Sequence, residues 1–373
     1  MASAFKVLFD GAPADDDFYN QVGAVEVEEN ADLPGAVRIT LPVSVANNDL
    51  TFVADARFRP FANIAVTASA DGTTTECIFD GLVLSHKLHL DRGAVASRLE
   101  LWGQDASWLM NLTEKAVEWV DVTDSAVASA IFGQYGVTPA PENTRDDSPA
   151  HTEDGNSLVQ RATDIGFLRS LARASGKWCR VFCTDTPGQR TGYFARPALD
   201  GDPAITLDLN DVAAANTGPL DLTWDVMRPT SASARQVLLN DVDAGADVSD
   251  SGVAPLDARS LSDFSGTPTS VLVATPAATA AELALRAQGL LADAGWFVRC
   301  EGEADVARLN AILRVGAVVA IQNIGSLYSG KYLVWSVHHT ISGDSHRMRF
   351  VLVRNALGPD PSASGLGSLL GSL

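Results

Sequence analysis

Basic residues are scarce in this chain of 373 residues: 46 Asp and Glu side chains oppose 27 Lys and Arg, so the formal net charge is −19 at pH 7. Such a surface repels phosphates, which argues against stable nucleic-acid binding. Long apolar runs are missing too, since the stretch 311–321 is short and contains Arg314. We therefore expect no membrane span, and the start of the chain lacks the pattern of a secretion signal.

Cysteines are few and follow no zinc or redox spacing. They are Cys77, Cys179, Cys183 and Cys300. Alternation along a predicted strand places Cys179 and Cys183 on one face together with Val181. We expect reduced thiols that pack in the core as small hydrophobic side chains.

Histidines offer no ready metal site. The candidate groups are His86 with His89, and His338 with His339 and His346. Residues one or three apart in a strand point to opposite faces, so neither group forms a simple chelate. We expect no metal ligand and no cofactor, and we interpret His338 as a packed residue at a strand end.

Motifs of catalysis are missing as well. The Gly-Asp-Ser-His run at 343–346 falls in a predicted hairpin turn, where these residue types are common, and no nucleophile elbow accompanies it. The sequence contains no Walker loop or dinucleotide fingerprint, and its many acids single out no carboxylate pair. We therefore predict no catalytic residue.

What the sequence does contain begins with short β-rich runs separated by Gly, Pro, Asn and Asp. They cover residues 5–9, 22–28, 36–43, 63–68, 76–90 and 97–102. Several short strands at this spacing are typical of a small barrel or sandwich. We assign residues 1–105 to a first β-barrel module.

An α+β insert follows at 106–203. A helix is predicted from the N-cap Thr123 to Gly136, and a second from Thr163 and Asp164 to Gly176. An apolar strand comes directly after the second helix. The fold class is thus mainly β with an α+β insert.

The rest of the chain returns to strands. Residues 204–270 hold strands at 218–227 and 234–242 and a predicted long surface loop at 243–269. Residues 271–357 hold a helix at 279–294 and a second β-barrel module, with strands at 296–301, 317–321, 331–339 and 348–353. Residues 358–373 form a predicted flexible tail.

A weak internal echo connects the two ends of the chain. RFRPFANIAV, FDGLVLSHKLHL and SRLELW near the N-terminus correspond to ILRVGAVVAI, YSGKYLVWSVHH and HRMRFVLVRN near the C-terminus. Both series run strand, loop, Gly-led strand, turn and strand. Two related β modules explain this pattern, and chance similarity of hairpins is the alternative.

QRATDIGFLRSLARASG followed by KWCRVF resembles a helix and strand of the phage late-control protein D and contractile-tail baseplate hub family, which includes the hub portion of type VI secretion spike proteins. The segment 313–355 resembles that family's closing segment. The run from FDGLVLSHKLHL to LELWGQDASWLMNL is also similar. The positions that carry this resemblance are Phe167, Leu168, Gly176, Gly316, Gly330, Tyr332, His338, Arg354 and Asn355.

The resemblance implies a homotrimer in which each chain supplies two β-barrel-type modules, so that three chains form a pseudo-sixfold ring. Such a structural hub adapts a sixfold tail tube to a threefold spike. Its partners are the tube protein, a separate spike protein, since this chain ends where fused members continue, and other baseplate proteins. We expect residues 360–373 to help dock the spike. Assembly would occur in the cytoplasm of the producing cell, and the product would sit in the baseplate of a virion or phage-like particle.

Acidic residues gain a role in this interpretation. A trimer would carry about −57, three times −19, and carboxylates on a channel wall would repel DNA or acidic cargo. The candidate channel-lining acids are Asp15, Asp16, Asp17, Glu26 and Glu28, beside Glu29. A solvated outer face is the alternative for these charges.

Two other classes of function are alternatives to the hub. A tail-associated cell-wall hydrolase would need an acid pair or metal triad that the sequence does not reveal. A receptor- or glycan-binding tail module would expose tryptophans on a β face. The seven tryptophans fall mostly in predicted apolar strands or helices, so we expect them to be core.

Overall fold

The computed structural model describes residues 4–46, 49–92, 97–153, 157–211, 213–236, 245–275, 279–343 and 345–358. Within these ranges the fold is mainly β. The strands in chain order are β1 (Ala4–Phe9), β2 (Ala12–Pro13), β3 (Ala24–Asn30), β4 (Ala36–Pro42), β5 (Val45–Ala46), β6 (Asp49–Leu50), β7 (Asn63–Ser69), β8 (Glu76–His89), β9 (Arg98–Asp105), β10 (Glu114–Trp119), β11 (Thr138–Pro139), β12 (Leu158–Thr163), β13 (Trp178–Cys183), β14 (Arg190–Ala195), β15 (Ile205–Asp208), β16 (Leu220–Trp224), β17 (Ser231–Gln236), β18 (Gly245–Val248), β19 (Arg259–Ser260), β20 (Ser270–Thr275), β21 (Val298–Asp305), β22 (Val318–Gln322), β23 (Gly330–Ser342), β24 (Ser345–Arg354) and β25 (Ala356–Leu357).

Short helices connect some of these strands. They are α1 (Asp16–Gln21), α2 (Asp124–Gln134), α3 (Asp164–Ala174), α4 (Leu261–Ser265), α5 (Ala280–Ala294) and α6 (Val306–Leu309), with 3-10 turns at Ala56–Phe58, Ala106–Asn111 and Pro141–Thr144.

The predicted helix boundaries are confirmed where capping residues mark them. The Thr123 hydroxyl accepts the Ala126 N–H at the start of α2, and the Thr163 hydroxyl accepts the Gly166 N–H at the start of α3. Gly136 follows α2 with a φ of 66°, the left-handed conformation that ends helices. Side-chain caps therefore gave reliable local information.

A 13-stranded sheet passes through both ends of the chain. Its first part has the strand order β1-β7-β8-β9-β4-β3, which we call the first repeat. Its second part has the order β15-β22-β23-β24-β21-β16, which we call the second repeat. One hydrophobic core lies against both parts.

The two repeats match in detail, which gives the internal echo a structural basis. The pairing of β8 with β9 shifts register between Val83 and Ser85, and that of β23 with β24 shifts between Val334 and Ser336. Both bulges fall at the same point of a Leu-Val-x-Ser motif. A bulge is a specific feature of a strand pair, so its repetition argues against chance similarity.

The turns that lead into the equivalent strands β7 and β22 also match. Phe61 N–H donates to Val83 O (2.8 Å), and Gly316 N–H donates to Val334 O (3.0 Å). Phe61 has a φ of 65° and Gly316 a φ of 92°, so both occupy the left-handed region. One difference is that β1 runs antiparallel to β7, whereas β15 runs parallel to β22.

The expected β-barrel modules are not closed barrels in the part of the chain that the structure describes. The sheet stays open because the outer edge of β3 pairs with β23 of the other repeat and does not return to its own. The predicted mainly β class is confirmed, and the expected β-barrel-type modules take the form of two parts of one open sheet within the described residues.

The insert has its own small core. Helices α2 and α3 pack against β13 and β14 through residues such as Val127, Ile131, Phe132, Leu168 and Phe194. The predicted strand after α3 is confirmed as β13.

The predicted surface loop at 243–269 contains regular structure. Strand β18 pairs with β17, and α4 begins with a capping box between Ser260 and Asp263. The small residues Ala232 and Ala234 of β17 pack against Leu283 and Ala287 of α5 in a small third core, against which Ala246 and Val248 of β18 also pack. Residues 237–244, which include part of a predicted strand, and residues 359–373 of the predicted tail lie outside the described residues.

Candidate interaction site

The junction between the two repeats is the place where β3 adds to the edge of β23. The pairing is antiparallel and runs from Ser336 opposite Asn30 to Ile341 opposite Val25. It uses only the second half of β23, since its first half pairs with β22. The repeats are thus joined by backbone hydrogen bonds as well as by side chains.

One face of this junction is fully buried. Val25 and Val27 of β3, and Val337 of β23, are each 0% exposed. The opposite face is polar: Glu26 forms an ion pair with Arg38, and its Oε1 lies 3.7 Å from His338 Nε2. Burial on one face and charge pairing on the other together fix the register.

A charge cluster around buried Glu29 lies at the end of the junction. Arg314 Nε donates to Glu29 Oε1 (2.7 Å), and its Nη1 donates to Glu76 Oε2 (3.3 Å). Its Nη2 donates to the carbonyl oxygens of Cys77 and Cys183, each at 3.0 Å. One guanidinium therefore holds together the first repeat, the insert and the second repeat.

A second arginine completes the cluster. Arg180 Nη2 lies 3.7 Å from Glu29 Oε2, and its Nη1 donates to Val315 O (2.9 Å). Burial lowers the pKa of Arg180. Burial acts in the same direction on Arg314, but the Glu29 and Glu76 carboxylates outweigh it and raise the pKa of Arg314.

Cys77 and Cys183 are joined by a disulfide across 106 residues of sequence. The expectation of four reduced thiols is therefore wrong for this pair, because alternation along β13 does not reveal that a strand of the first repeat lies opposite. Cys179 and Cys300 are free and buried, as expected, and burial raises the pKa of each thiol to about 12. The disulfide fixes the insert to β8 beside Arg314.

Two of the resemblance positions are glycines required by close packing. A Cβ on Gly176, which has a φ of 66°, would lie 2.9 Å from Gly289 Cα, so α3 and α5 meet here backbone to backbone. A Cβ on Gly330 would lie 2.7 Å from Arg354 Nη2. Both positions serve packing.

Tyr332, Arg354 and Asn355 organise the end of the chain. Arg354 is fully buried, stacks over the Tyr332 ring at 5.2 Å and forms an ion pair with Asp257. The Asn355 amide donates to Ala254 O (2.9 Å). These contacts hold the segment before β19 against the second repeat.

The remaining resemblance positions have simple roles. Phe167 and Leu168 are buried in the core of the insert. His338 lies within β23, which continues to Ser342, and its side chain is 37% exposed and faces Glu26. The interpretation of His338 as a packed strand-end residue is thus wrong, because the strand extends further than its apolar pattern.

The candidate channel-lining acids have different surroundings in the structure. Asp15 caps α1 by accepting the Phe18 N–H (2.9 Å) and pairs with Arg57 (3.1 Å). Asp16 and Asp17 lie in the first turn of α1 and are exposed. In β3, Glu28 is exposed, Glu26 is bound to Arg38, and neighbouring Glu29 is buried in the arginine cluster.

The structure also brings together two histidines that alternation had separated. His339 Nδ1 lies 3.0 Å from His346 Nε2 across the β23–β24 hairpin, and both rings are buried. Burial lowers the pKa of His339 well below its usual value and that of His346 to about 4. This contact could have been predicted only from the pairing of β23 with β24, because the periodicity of a single strand does not show which residues of a neighbouring strand lie close.

Neither a metal-ligand cluster nor a membrane-spanning helix occurs among the described residues. Among the described residues, no three His, Cys, Asp or Glu side chains converge on a point that a metal ion would occupy. No described helix is both long and apolar enough to cross a membrane.

The tryptophans were expected to be core, and most are at least partly buried. Trp102 and Trp224 differ, with exposed fractions of 40% and 45%. Arg38 lies over the Trp102 ring at 5.2 Å, and the Trp224 ring contacts Phe264 edge-on at 5.4 Å.

Comparison with known proteins identifies the family of this chain. The sequence matches the family model described as the Alg8 N-terminal domain over residues 2–343. The chain belongs to the Alg8 N-terminal domain family. No curated protein matches it.

Solved structures share the fold of this Alg8 N-terminal domain family member. The tail protein of Neisseria meningitidis has a TM-score of 0.67 at 13% identity, covering 95% of this chain and 97% of that one. The 43 kDa tail protein of prophage MuSo2 from Shewanella oneidensis has a TM-score of 0.65 at 12% identity, covering 95% and 100%. An E. coli type VI secretion component, described as similar to T4 tail proteins gp27 and gp5, has a TM-score of 0.57 at 13% identity, covering 95% and 79%. The predicted resemblance to tail-hub proteins is confirmed at the level of fold.

Proposed function

We propose that this chain is a structural hub in the tail baseplate of a contractile phage or related injection machine, and not an enzyme. The observation that carries the proposal is the duplicated six-strand repeat, with its repeated bulge and turn, in a fold shared with tail proteins. A chain built from two equivalent units suits a position where symmetry must change.

The symmetry argument is arithmetic. Three copies of a two-repeat chain present six equivalent units to a sixfold tail tube while keeping threefold symmetry for a spike. The open sheet supports such an assembly, because the outer edge of β16 has no partner strand among the described residues and offers its backbone groups to a neighbouring copy. The proposed partners are a second and third copy, the tube protein, a separate spike protein and other baseplate proteins.

Charge supports a channel. Three chains carry about −57 in total, and exposed acids such as Asp16, Asp17 and Glu28 would repel phosphates or acidic cargo if they face the bore. Lasting nucleic-acid binding is not part of the proposed role. Assembly would take place in the cytoplasm of the producing cell, and the product would reside in the baseplate.

The test is the mass of the purified protein by size exclusion with light scattering, at several concentrations and moderate salt. The proposal predicts a particle of about 118 kDa, three times 39.3 kDa, that binds candidate tube and spike proteins. A monomer that also stays monomeric with both candidates would contradict the hub and redirect work to lytic or glycan-binding assays.

A further inference from the structure

The two repeats differ in how one equivalent edge is used. In the second repeat, β3 covers the edge of β23 from Ser336 to Ile341. The equivalent stretch of the first repeat is 85–90, which comprises the last five residues of β8 and Leu90 directly after it. It pairs with β9 on one side. On its other side, no described strand pairs with it, because β7 pairs only with the first half of β8.

The strand that would cover this edge is also unpaired on one side. β16 occupies the position in the second repeat that β3 occupies in the first, since each is the antiparallel neighbour of an equivalent strand, β21 or β4. The outer edge of β16 ends the sheet within the described residues. The described part of one chain thus contains one completed junction, and it leaves the outer edge of β16 and the edge of β8 at 85–90 without a partner strand.

We propose that β16 of one copy adds antiparallel to residues 85–90 of a second copy, repeating the β3–β23 junction between molecules. This inference rests on the proposed homotrimer and names the strands that would join it. Transferring the register of the internal junction places Leu222 opposite Leu88, Leu220 opposite Leu90, and Trp224 opposite His86.

Side chains on the buried face fit this register. The internal pairs Val27 with His339, and Val25 with Ile341, are at most 1% exposed. At the open edge Leu90 is 55% exposed, and Trp224 on the spare strand is 45% exposed. Apolar residues therefore stand on both spare surfaces at positions that the internal junction buries, and covering them would be favourable.

Charges on the other face are complementary. In the internal junction, Glu26 approaches His338 at 3.7 Å. Lys87 occupies the place of His338 at the open edge, and Asp221 occupies the place of Glu26 on the spare strand. Both are exposed. A cation on one surface and an anion on the other favour a second copy of this chain as the occupant.

The geometry of the contact also limits the assembly. It joins two different surfaces, so each copy can give one strand and accept one, and such head-to-tail contacts close into rings when the rotation permits. Three contacts would close three chains into a ring of six repeats, with each repeat joined by the same type of junction.

The test is a disulfide across the proposed contact, using the variant Lys87→Cys with Thr223→Cys in one chain. Thr223 lies directly opposite Lys87 in the transferred register, and the two are far apart in the sheet of one chain. The matched control is Lys87→Cys with Arg299→Cys, because Arg299 is the partner of Thr223 one strand further in. That places it beyond disulfide reach. Mild oxidation and non-reducing electrophoresis give the readout.

The proposal predicts a covalent trimer from the first variant, at least tenfold more abundant than from the control or either single variant. A non-covalent trimer that forms no such bond would overturn the edge pairing and leave the hub intact. Cross-linked species of another fixed size would support the edge pairing and contradict threefold assembly. A monomer without cross-links, alone and with tube protein, would overturn both.

Discussion

The first and second repeats share a strand order, a bulge and a left-handed turn, yet their surroundings differ. In the second repeat the edge of β23 is covered, and the turn before β22 carries Arg314, whose side chain is only 19% exposed. In the first, no described strand pairs with the edge of β8 at 85–90. The equivalent arginine, Arg59, is 56% exposed and pairs with Asp10 at 2.8 Å. The two repeats thus share one backbone structure, and they differ in the strands and charged residues that contact their edges.

The strongest way to break this comparison is to remove each arginine in turn. Arg314→Leu leaves Glu29 buried without its closest partner, and we expect the free energy of unfolding to fall by about 3–5 kcal/mol. Arg59→Leu removes an exposed ion pair and should cost about 0–1 kcal/mol. Urea denaturation of both variants measures the difference. Equal losses would show that the charge cluster does not hold the junction.

The buried histidine pair of the second repeat, His339 and His346, should make the stability of the protein depend on pH. The unfolded chain binds protons near pH 6.5, whereas burial keeps folded His346 neutral down to about pH 4. The free energy of unfolding is therefore highest above pH 6.5 and falls as the pH is lowered toward 4. His346 alone accounts for a loss of about 3 kcal/mol over this range. Lowered pKa of His339, also caused by burial, acts in the same direction.

The matched variant takes its residues from the first repeat. Leu88 and Ser97 stand at the positions equivalent to His339 and His346, so the change is His339→Leu with His346→Ser. The slope of unfolding free energy between pH 6.5 and 4 should become clearly shallower. An unchanged slope would mean that other groups control acid stability.

A smaller effect is expected at Gly316, in the left-handed turn of the second repeat. Gly316→Ala places a Cβ at a φ of 92° with only ordinary contacts nearby, so we expect a loss of about 1–2 kcal/mol from the backbone alone. Gly133→Ala in α2, with open space around it, should instead raise stability by about 0.5–1 kcal/mol. Thermal unfolding of the two variants compares them, and a neutral Gly316→Ala would contradict the strain argument.

The smallest expected effect concerns the proposed contact between copies. Lys87→Asp or Asp221→Lys alone should weaken assembly up to about tenfold, since an exposed pair contributes about 1 kcal/mol or less. Both changes together should restore it, because the charges are exchanged and not lost. Concentration-dependent light scattering measures this, and a double variant weaker than either single one would place the two residues apart.

Local signals in the sequence predicted much of the fold. Thr123, Thr163 and Thr279 were identified as N-caps or helix starts, and each accepts a backbone N–H in the structure. Capping depends on residues a few positions apart, so it can be recognised without the tertiary fold. The internal echo was visible for the same reason, since both bulges lie in short, similar motifs.

Features that depend on distant pairing were missed. The disulfide joins residues 106 apart, and the β3–β23 junction joins the two ends of the chain. The burial of Glu29 beside Arg314 and the contact of His339 with His346 depend on the same pairings. Alternation shows which face a residue occupies, but it does not show which strand lies opposite.

The most direct test of the account is electron microscopy of the assembled protein viewed end-on. If each chain contributes two equivalent repeats joined by the same kind of junction, averaged images should show a ring of six similar lobes with only threefold differences between alternate lobes. A ring of three separate lobes, or particles without a ring, would contradict the account.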